Sequence, residues 1–102
     1  MTFTPNNIII ANTPFVPGYE IDEMISLTCT YSLNWFVLSK HRITEKAYDQ
    51  ALRDMQNQAF RDGAHAIINL KTTFEMQSPA PAFTRVNVYM EGTGVTLVGY
   101  GD

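Results

Sequence analysis

Cysteine and histidine are scarce in this sequence, which has one cysteine, Cys29, and two histidines, His41 and His65, among 102 residues. A single cysteine excludes a disulfide within the chain and fits a reducing compartment best. Borderline and soft metals usually need about four thiolate or imidazole ligands at close spacing, as in Cys-x-x-Cys or His-x-His pairs. Neither pair occurs here, so no conventional metal site within one chain is predicted.

Positive charge and long apolar runs are also lacking. Seven Lys and Arg stand against ten Asp and Glu, which gives a net charge of −3 and a pI of about 5.2. Such a chain has no general attraction for phosphate backbones or anionic membranes, so neither nucleic acid nor membrane is expected as a partner. No stretch approaches the roughly 18 apolar residues of a membrane span, and the first residues do not resemble a secretory signal. A soluble cytoplasmic protein is expected.

The chain length and composition predict one globular domain over residues 1–102. The sequence is 45% hydrophobic and 17% charged, and it contains no internal repeat, low-complexity tract or domain boundary. One core is therefore expected.

An amphipathic helix over residues 44–63 is the clearest pattern. Thr44 suits the N-cap position, and Gly63 suits the left-handed position that closes a helix. At 100° per residue one face is apolar; its members are Tyr48, Ala51, Leu52, Met55 and Ala59. This face predicts one long helix that packs on a sheet.

Alternating residues predict the strands of that sheet. Residues 19–31, 66–76 and 83–98 alternate between apolar and polar side chains, and residues 8–11 form a short apolar run in front. Residues 32–43 have neither period and are predicted to be a loop or a short helical turn. The expected fold class is α+β: a β-α-β-β unit with a three-stranded, mainly antiparallel sheet, one long helix and a short N-terminal strand.

Two details of the strands carry further expectations. The sequence Gly92-Thr93-Gly94 predicts a bulge or kink that shifts the facing of Val95 and Leu97. The alternation places Cys29 on the core side, where a free thiol acts as a small hydrophobe.

The relative lengths of helix and strands predict self-association. A helix of about 19 residues spans roughly 28 Å, whereas strands of about 13 residues reach roughly 43 Å. One helix cannot cover such a sheet, and the uncovered apolar surface predicts contacts between identical subunits. The expected interface residues are Ile8, Ile10, Trp35, Phe36 and Phe60. The alternative is that Phe60 folds under the following loop and Trp35 closes the open end of the core.

Several stretches resemble the YbjQ-like family, whose members carry an alanine-rich helix that runs into a Gly-Ala-x-Ala strand. The matching stretches are residues 18–21, 32–34, 47–52, 59, 63–70 and 92–95. The resemblance covers about residues 8–98. Residues 34–44 depart from the family, because its members usually have a longer segment with glycine there.

The resemblance implies a dodecin-like subunit fold and assembly into a ring-shaped homopentamer. It also implies that a short additional strand, here residues 8–11, joins neighbouring subunits. The family carries the label "putative heavy-metal-binding", which makes a metal ion the one cofactor to consider. It offers no set of metal ligands that can be carried over residue by residue.

The residues themselves allow several candidate sites. Lys40, His41 and Arg42, next to a helix N-terminus, would suit an anion, although such a run is also typical of a solvated helix entry. The outward face of the sheet would provide a ligand cleft between subunits or simply its wet side; its members are Thr28, Thr30, Asn69, Lys71, Arg85, Asn87 and Tyr89. Lys71 and Arg85 are its two cations.

A metal site is expected only if identical subunits share it. Cys29, His41 and His65 are far apart in the sequence, but in a ring one residue per chain can converge on the symmetry axis. His65 by itself is more typical of an exposed loop residue than of a catalytic base.

The expected function is an oligomeric binding or structural module without enzymatic activity, which binds a metal or small ligand between subunits. The alternative is an enzyme whose site is assembled across the ring from Lys40, His41 and Arg42 and acts on a small anionic substrate.

Overall fold

In a computed structural model the chain is described over residues 3–35, 40–80 and 83–100. These residues form a four-stranded mixed sheet with one α-helix against one face. The elements in chain order are a 3-10 turn (Pro5–Asn7), β1 (Ile9–Ile10), β2 (Ile21–Trp35), α1 (Lys40–Arg61), β3 (Ala66–Ala80) and β4 (Phe83–Leu97). The sheet order is β1-β3-β4-β2. The predicted α+β class is confirmed.

The sheet differs from the predicted three-stranded antiparallel one because β1 belongs to it. Ile9 and Ile10 pair in parallel with Ala66 and Ile67 of the same chain. Ile8 is only 4% exposed, and Ile10 packs against the same core. The structure therefore corrects the assignment of Ile8 to a subunit interface, since its side chain is buried in its own chain. Ile10 is only partly buried, and its assignment stays a prediction.

The helix ends where the sequence predicts but begins earlier. Gly63 has a φ of +81°, and the N–H of Ala64 donates to the carbonyl of Ala59 at 2.8 Å, as in a Schellman cap. The start is at Lys40, so Thr44 lies inside the helix and is not its N-cap. The earlier start follows from Ile43, which is fully buried and extends the apolar stripe by one turn.

The core between helix and sheet uses the predicted helix face. Ala51, Met55 and Ala59 are fully buried there, while Tyr48 and Leu52 are partly buried at its margin. The strands contribute buried side chains from their helix-facing positions, among them Leu27, Ile67, Leu70, Val86, Val88 and Met90. The helix thus shields these side chains of the sheet from solvent.

A second, smaller apolar cluster lies on the opposite face of the sheet. It contains Val16, Ala66, Ile68, Val95 and Leu97. The segment that follows β1 runs along β3, because the N–H of Asn69 donates to the carbonyl of Thr13. This segment brings Val16 over one end of the open face. Ile68 therefore lies on this open face. The alternation of residues 66–76 predicts it on the helix side together with Leu70, and that prediction is wrong.

The bulge at this level of the sheet lies in β3 and not at the glycines of β4; separate register shifts lie between Ile21 and Met24 and between Gln77 and Ala80. Register between β2 and β4 is continuous from Met24 opposite Val95 to Trp35 opposite Thr84, so the predicted shift at residues 92–94 is wrong. The β3–β4 register instead shifts between Ile68 and Lys71, where Asn69 has a φ of +53°.

The two glycines of β4 are explained by close packing. A Cβ on Gly92 would lie 2.8 Å from Cγ2 of Ile67, and one on Gly94 would lie 2.9 Å from Cδ1 of Leu27. Helix-side neighbours therefore leave no room for a side chain at either position.

Among the described residues, no helix is long and apolar enough to cross a membrane.

Candidate functional site

The open face of the sheet carries rows of polar side chains that run across β2, β4 and β3. In the central row Glu91 of β4 lies directly opposite Thr28 of β2 and Lys71 of β3. The bulge at Asn69 produces this alignment, because it keeps Leu70 on the helix side and turns Lys71 to the open side. A polar surface therefore crosses three strands at the middle of the sheet.

A groove of about 520 Å³ follows this surface and is open to solvent. Its polar lining consists of Ser26, Thr28, Asn69, Lys71, Glu91 and Thr93. An adjoining depression of about 310 Å³ shares Thr28, Lys71 and Glu91 with it and extends to Tyr89. The structure thus brings one cation, one carboxylate and several hydroxyl groups together.

Of the two cations predicted on this face, only Lys71 belongs to the groove. Arg85 lies six residues from Glu91 along β4, about 20 Å at roughly 3.3 Å per residue. Its Nε donates to Oδ1 of Asn34 at 2.8 Å. The structure therefore does not bring Lys71 and Arg85 into one site.

Sequence reasoning missed Glu91, the only carboxylate of the described lining. The signal was available, since residues 89, 91 and 93 alternate in phase with the outward Tyr89. Glu91 precedes the supposed bulge at residues 92–94, so that bulge does not affect its predicted facing.

The predicted anion site lies largely outside the described side chains. Lys40, His41 and Arg42 form the first turn of the helix and do not precede it. Their side chains are not among those described. The side chain of Trp35 and the whole of Phe36 also lie outside the described part of the chain.

The two described metal-ligand candidates lie far apart. Cys29 faces Met90 across the β2–β4 pair, whereas the N–H of His65 donates to the carbonyl of Val95. Five residues of β4 separate these points, about 16 Å at roughly 3.3 Å per residue. Within the described part of the chain, no three His, Cys, Asp or Glu residues are grouped to hold a metal ion.

The environment of each candidate also opposes metal ligation. Burial raises the pKa of the Cys29 thiol, and the negative charge of Asp54 raises it further, so the thiolate that a metal needs is disfavoured. His65 uses Nδ1 to accept the backbone N–H of Leu97 at 2.9 Å. The described side chains of one chain therefore do not fit a heavy-metal site.

His65 and Phe60 belong to an aromatic cluster at one end of the molecule. The ring of Phe3 stacks on Phe60 at 5.8 Å between centroids, and it meets His65 edge-on at the same distance. Tyr100 contacts both rings, with centroids 5.2 Å from His65 and 6.0 Å from Phe3. Phe60 keeps 37% of its surface exposed, and the N-terminal arm covers it instead of the predicted loop.

Comparison with known proteins places this geometry in a family. The model of the YbjQ family, described as "putative heavy-metal-binding", matches residues 38–98. A similar solved structure is that of a protein of unknown function in the DUF74 family, from Pediococcus pentosaceus ATCC 25745. The chains are 21% identical with a TM-score of 0.66, and the match covers 88% of this chain and 97% of that one. This likeness establishes the fold alone, and no curated protein matches.

Proposed function

The chain belongs to the YbjQ family, and on that premise we propose that it is a self-assembling module without catalytic activity, whose copies join through uncovered edges of the sheet. The observation that carries the proposal is the outer edge of β2. This strand has 15 residues and is the last one in the sheet order, so nothing among the described residues pairs with its outer side. Long exposed edges of this kind are templates for pairing with another chain.

Apolar side chains mark the same edge. Met24 is 66% exposed and Ile25 is 44% exposed, although they point to opposite faces of the sheet. A lone edge strand in a monomer usually carries charges or proline to prevent association. Two large apolar neighbours on an unpaired strand favour a partner strand at this position.

The second uncovered edge belongs to β3. The N-terminal segment covers this strand only as far as Leu70, whose N–H donates to the carbonyl of Ala11. Beyond that point, within the described residues, no strand pairs with its outer side. Phe74 and Met76, on the helix side of the same stretch, are 42% and 44% exposed.

The helix is too short to cover this end of the sheet. Its 22 residues extend about 33 Å at 1.5 Å per residue, whereas a strand of 15 residues extends about 50 Å at 3.3 Å per residue. The described residues accordingly measure 53 Å along their longest axis.

Joining two different edges is the kind of contact that can generate a ring. The edge of β2 in one copy would pair with the edge of β3 in the next, which is a head-to-tail contact that closes if the rotation permits. The family resemblance favours five copies. The number of copies and a cytoplasmic location stay predictions.

Edge variants test the proposal. Met24→Lys and Met76→Lys each place a charge beside one uncovered edge, and Asn57→Lys places the same charge on the exposed helix surface as a control. The native mass, measured by light scattering at micromolar concentration, should fall in both edge variants and stay unchanged in the control. Edge variants that keep the wild-type mass would contradict the proposed contacts.

Metal or ligand binding between subunits is the further part of the proposal. Because the described residues of one chain do not assemble the donors for a soft metal, such a site would need Cys29, His41 or His65 from several copies. Elemental analysis of protein purified without chelators tests this part, and substoichiometric metal would contradict it. The enzyme alternative depends on Lys40, His41 and Arg42, whose side chains are not described, and it stays a prediction.

A further inference from the structure

We infer that the groove on the open face of the sheet binds a neutral saccharide. The groove is formed by one chain, so this inference does not depend on how copies assemble. Its evidence is the charge balance, the hydrogen-bonding groups and the aromatic ring that the described side chains present.

Charge balance excludes simple ions as the preferred ligand. Lys71 and Glu91 are exposed cross-strand partners, and their Cβ atoms are expected about 5 Å apart. Lys71 would attract an anion, but Glu91 on the directly opposing position would repel it. A cation would be attracted by Glu91 and repelled by Lys71, and the described lining offers no second carboxylate to bind it. The site therefore favours a ligand without net charge.

The hydrogen-bonding groups match vicinal hydroxyls. Lys71 can only donate and Glu91 can only accept, so one hydroxyl of a diol can accept from the first while its neighbour donates to the second. Ser26, Thr28 and Thr93 both donate and accept. Any ion pair between Lys71 and Glu91 is exposed to solvent and contributes little, so a ligand replaces it at small cost.

An aromatic ring adjoins this polar centre. Tyr89 lies two residues from Glu91 on the same side of β4 and is 41% exposed. Its cross-strand partners are the small residues Thr30 and Thr73, which leave the ring accessible. A flat ring next to paired polar groups suits a pyranose, which has an apolar C–H face and a rim of hydroxyls. The groove volume of about 520 Å³ falls within the usual range for small-molecule sites.

Saturation-transfer NMR on the assembled protein tests this inference. The probes are glucose, galactose, mannose, N-acetylglucosamine and maltose, with inorganic phosphate, calcium chloride and the zwitterion glycine as competitors. At least one sugar should receive saturation from the protein, and none of the competitors should displace it. Tyr89→Ala and Glu91→Gln should each weaken the signal about tenfold.

Arg85→Gln is the matched control, because Arg85 lies on the same face outside the groove. It should leave sugar binding unchanged, and thermal melts should confirm that all three variants fold. Three results would each overturn the inference: no saturation of any sugar, displacement by phosphate, calcium or glycine, or binding that survives both Tyr89→Ala and Glu91→Gln.

Discussion

Nδ1 of His65 accepts the backbone N–H of Leu97 at 2.9 Å, which ties the start of β3 to the end of β4. An accepting Nδ1 places the proton of the neutral ring on Nε2. Leu97 is buried, so its N–H depends on this acceptor. The residue that looked like an exposed loop histidine thus has a structural role.

Replacing His65 should therefore lower stability. His65→Ala leaves the buried N–H of Leu97 without a partner, and we expect the free energy of unfolding to fall by about 1–3 kcal/mol. His65→Asn keeps an acceptor near the position of Nδ1 and should lose clearly less. Urea denaturation measures both values, and equal losses would show that the hydrogen bond does not matter.

The backbone of Asn69 gives a second prediction. Its φ of +53° lies in the left-handed region, which asparagine and glycine tolerate and β-branched residues do not. Asn69→Val should lower the free energy of unfolding by about 1–2 kcal/mol, whereas Asn69→Gly should change it little. If valine is tolerated as well as glycine in urea denaturation, the bulge is not where the structure places it.

Close packing at Gly92 gives a third prediction. The Cβ of an alanine there would lie 2.8 Å from Cγ2 of Ile67 and 3.3 Å from the carbonyl oxygen of Ile68. Neither atom can move freely, because one belongs to a buried β-branched side chain and the other to the backbone. We expect Gly92→Ala to cost about 1–3 kcal/mol. Thr93→Ala, whose side chain faces the open side, is the control in the same denaturation experiment and should cost less.

The reactivity of Cys29 gives a fourth prediction. Burial, and then the charge of Asp54, raise the pKa of this thiol above its ordinary value. Alkylation by iodoacetamide at neutral pH should therefore be slower than for an exposed thiol, and its rate should rise only at higher pH. Asp54→Asn removes one cause and should increase the rate at a given pH. An unchanged rate would contradict the proposed influence of Asp54.

The same shift predicts how stability depends on pH. The folded state holds the thiol proton more tightly than the unfolded state, so this contribution is complete below the unfolded pKa. It is lost as pH rises through the folded pKa, in the alkaline range. Cys29→Ala should remove this alkaline decrease from a series of urea midpoints.

Local patterns were sufficient to predict the helix face and its end. Met55 and Ala59 follow a period of 3.6, and Gly63 supplies a left-handed cap, so neighbours in sequence determine both features. The start at Lys40 was not predictable in this way. It depends on the burial of Ile43 against the sheet, which is a tertiary contact.

Pairing partners were harder to predict than strands. Residues 8–11 were recognised as a strand, but nothing local distinguishes pairing with β3 of the same chain from pairing with a neighbour. The bulge was assigned to Gly92 and Gly94 because glycine is frequent at bulges. It is Asn69 that occupies the left-handed region, and the two glycines make room for Ile67 and Leu27.

The candidate site was therefore only partly foreseen. Thr28, Lys71 and Tyr89 were placed on the outward face by alternation, which the structure confirms. Glu91 was not included, although alternation from the outward Tyr89 places it on the same face. Arg85 was grouped with Lys71 because alternation gives the face of a residue but not its position along the strand.

The central claim is that other copies cover the exposed edges of β2 and β3, and the native mass of the wild-type protein at micromolar concentration tests it most directly. Sedimentation or native mass spectrometry should find one discrete species several times heavier than the 11.5 kDa chain, with five copies expected. A compact monomer at that concentration would contradict the account.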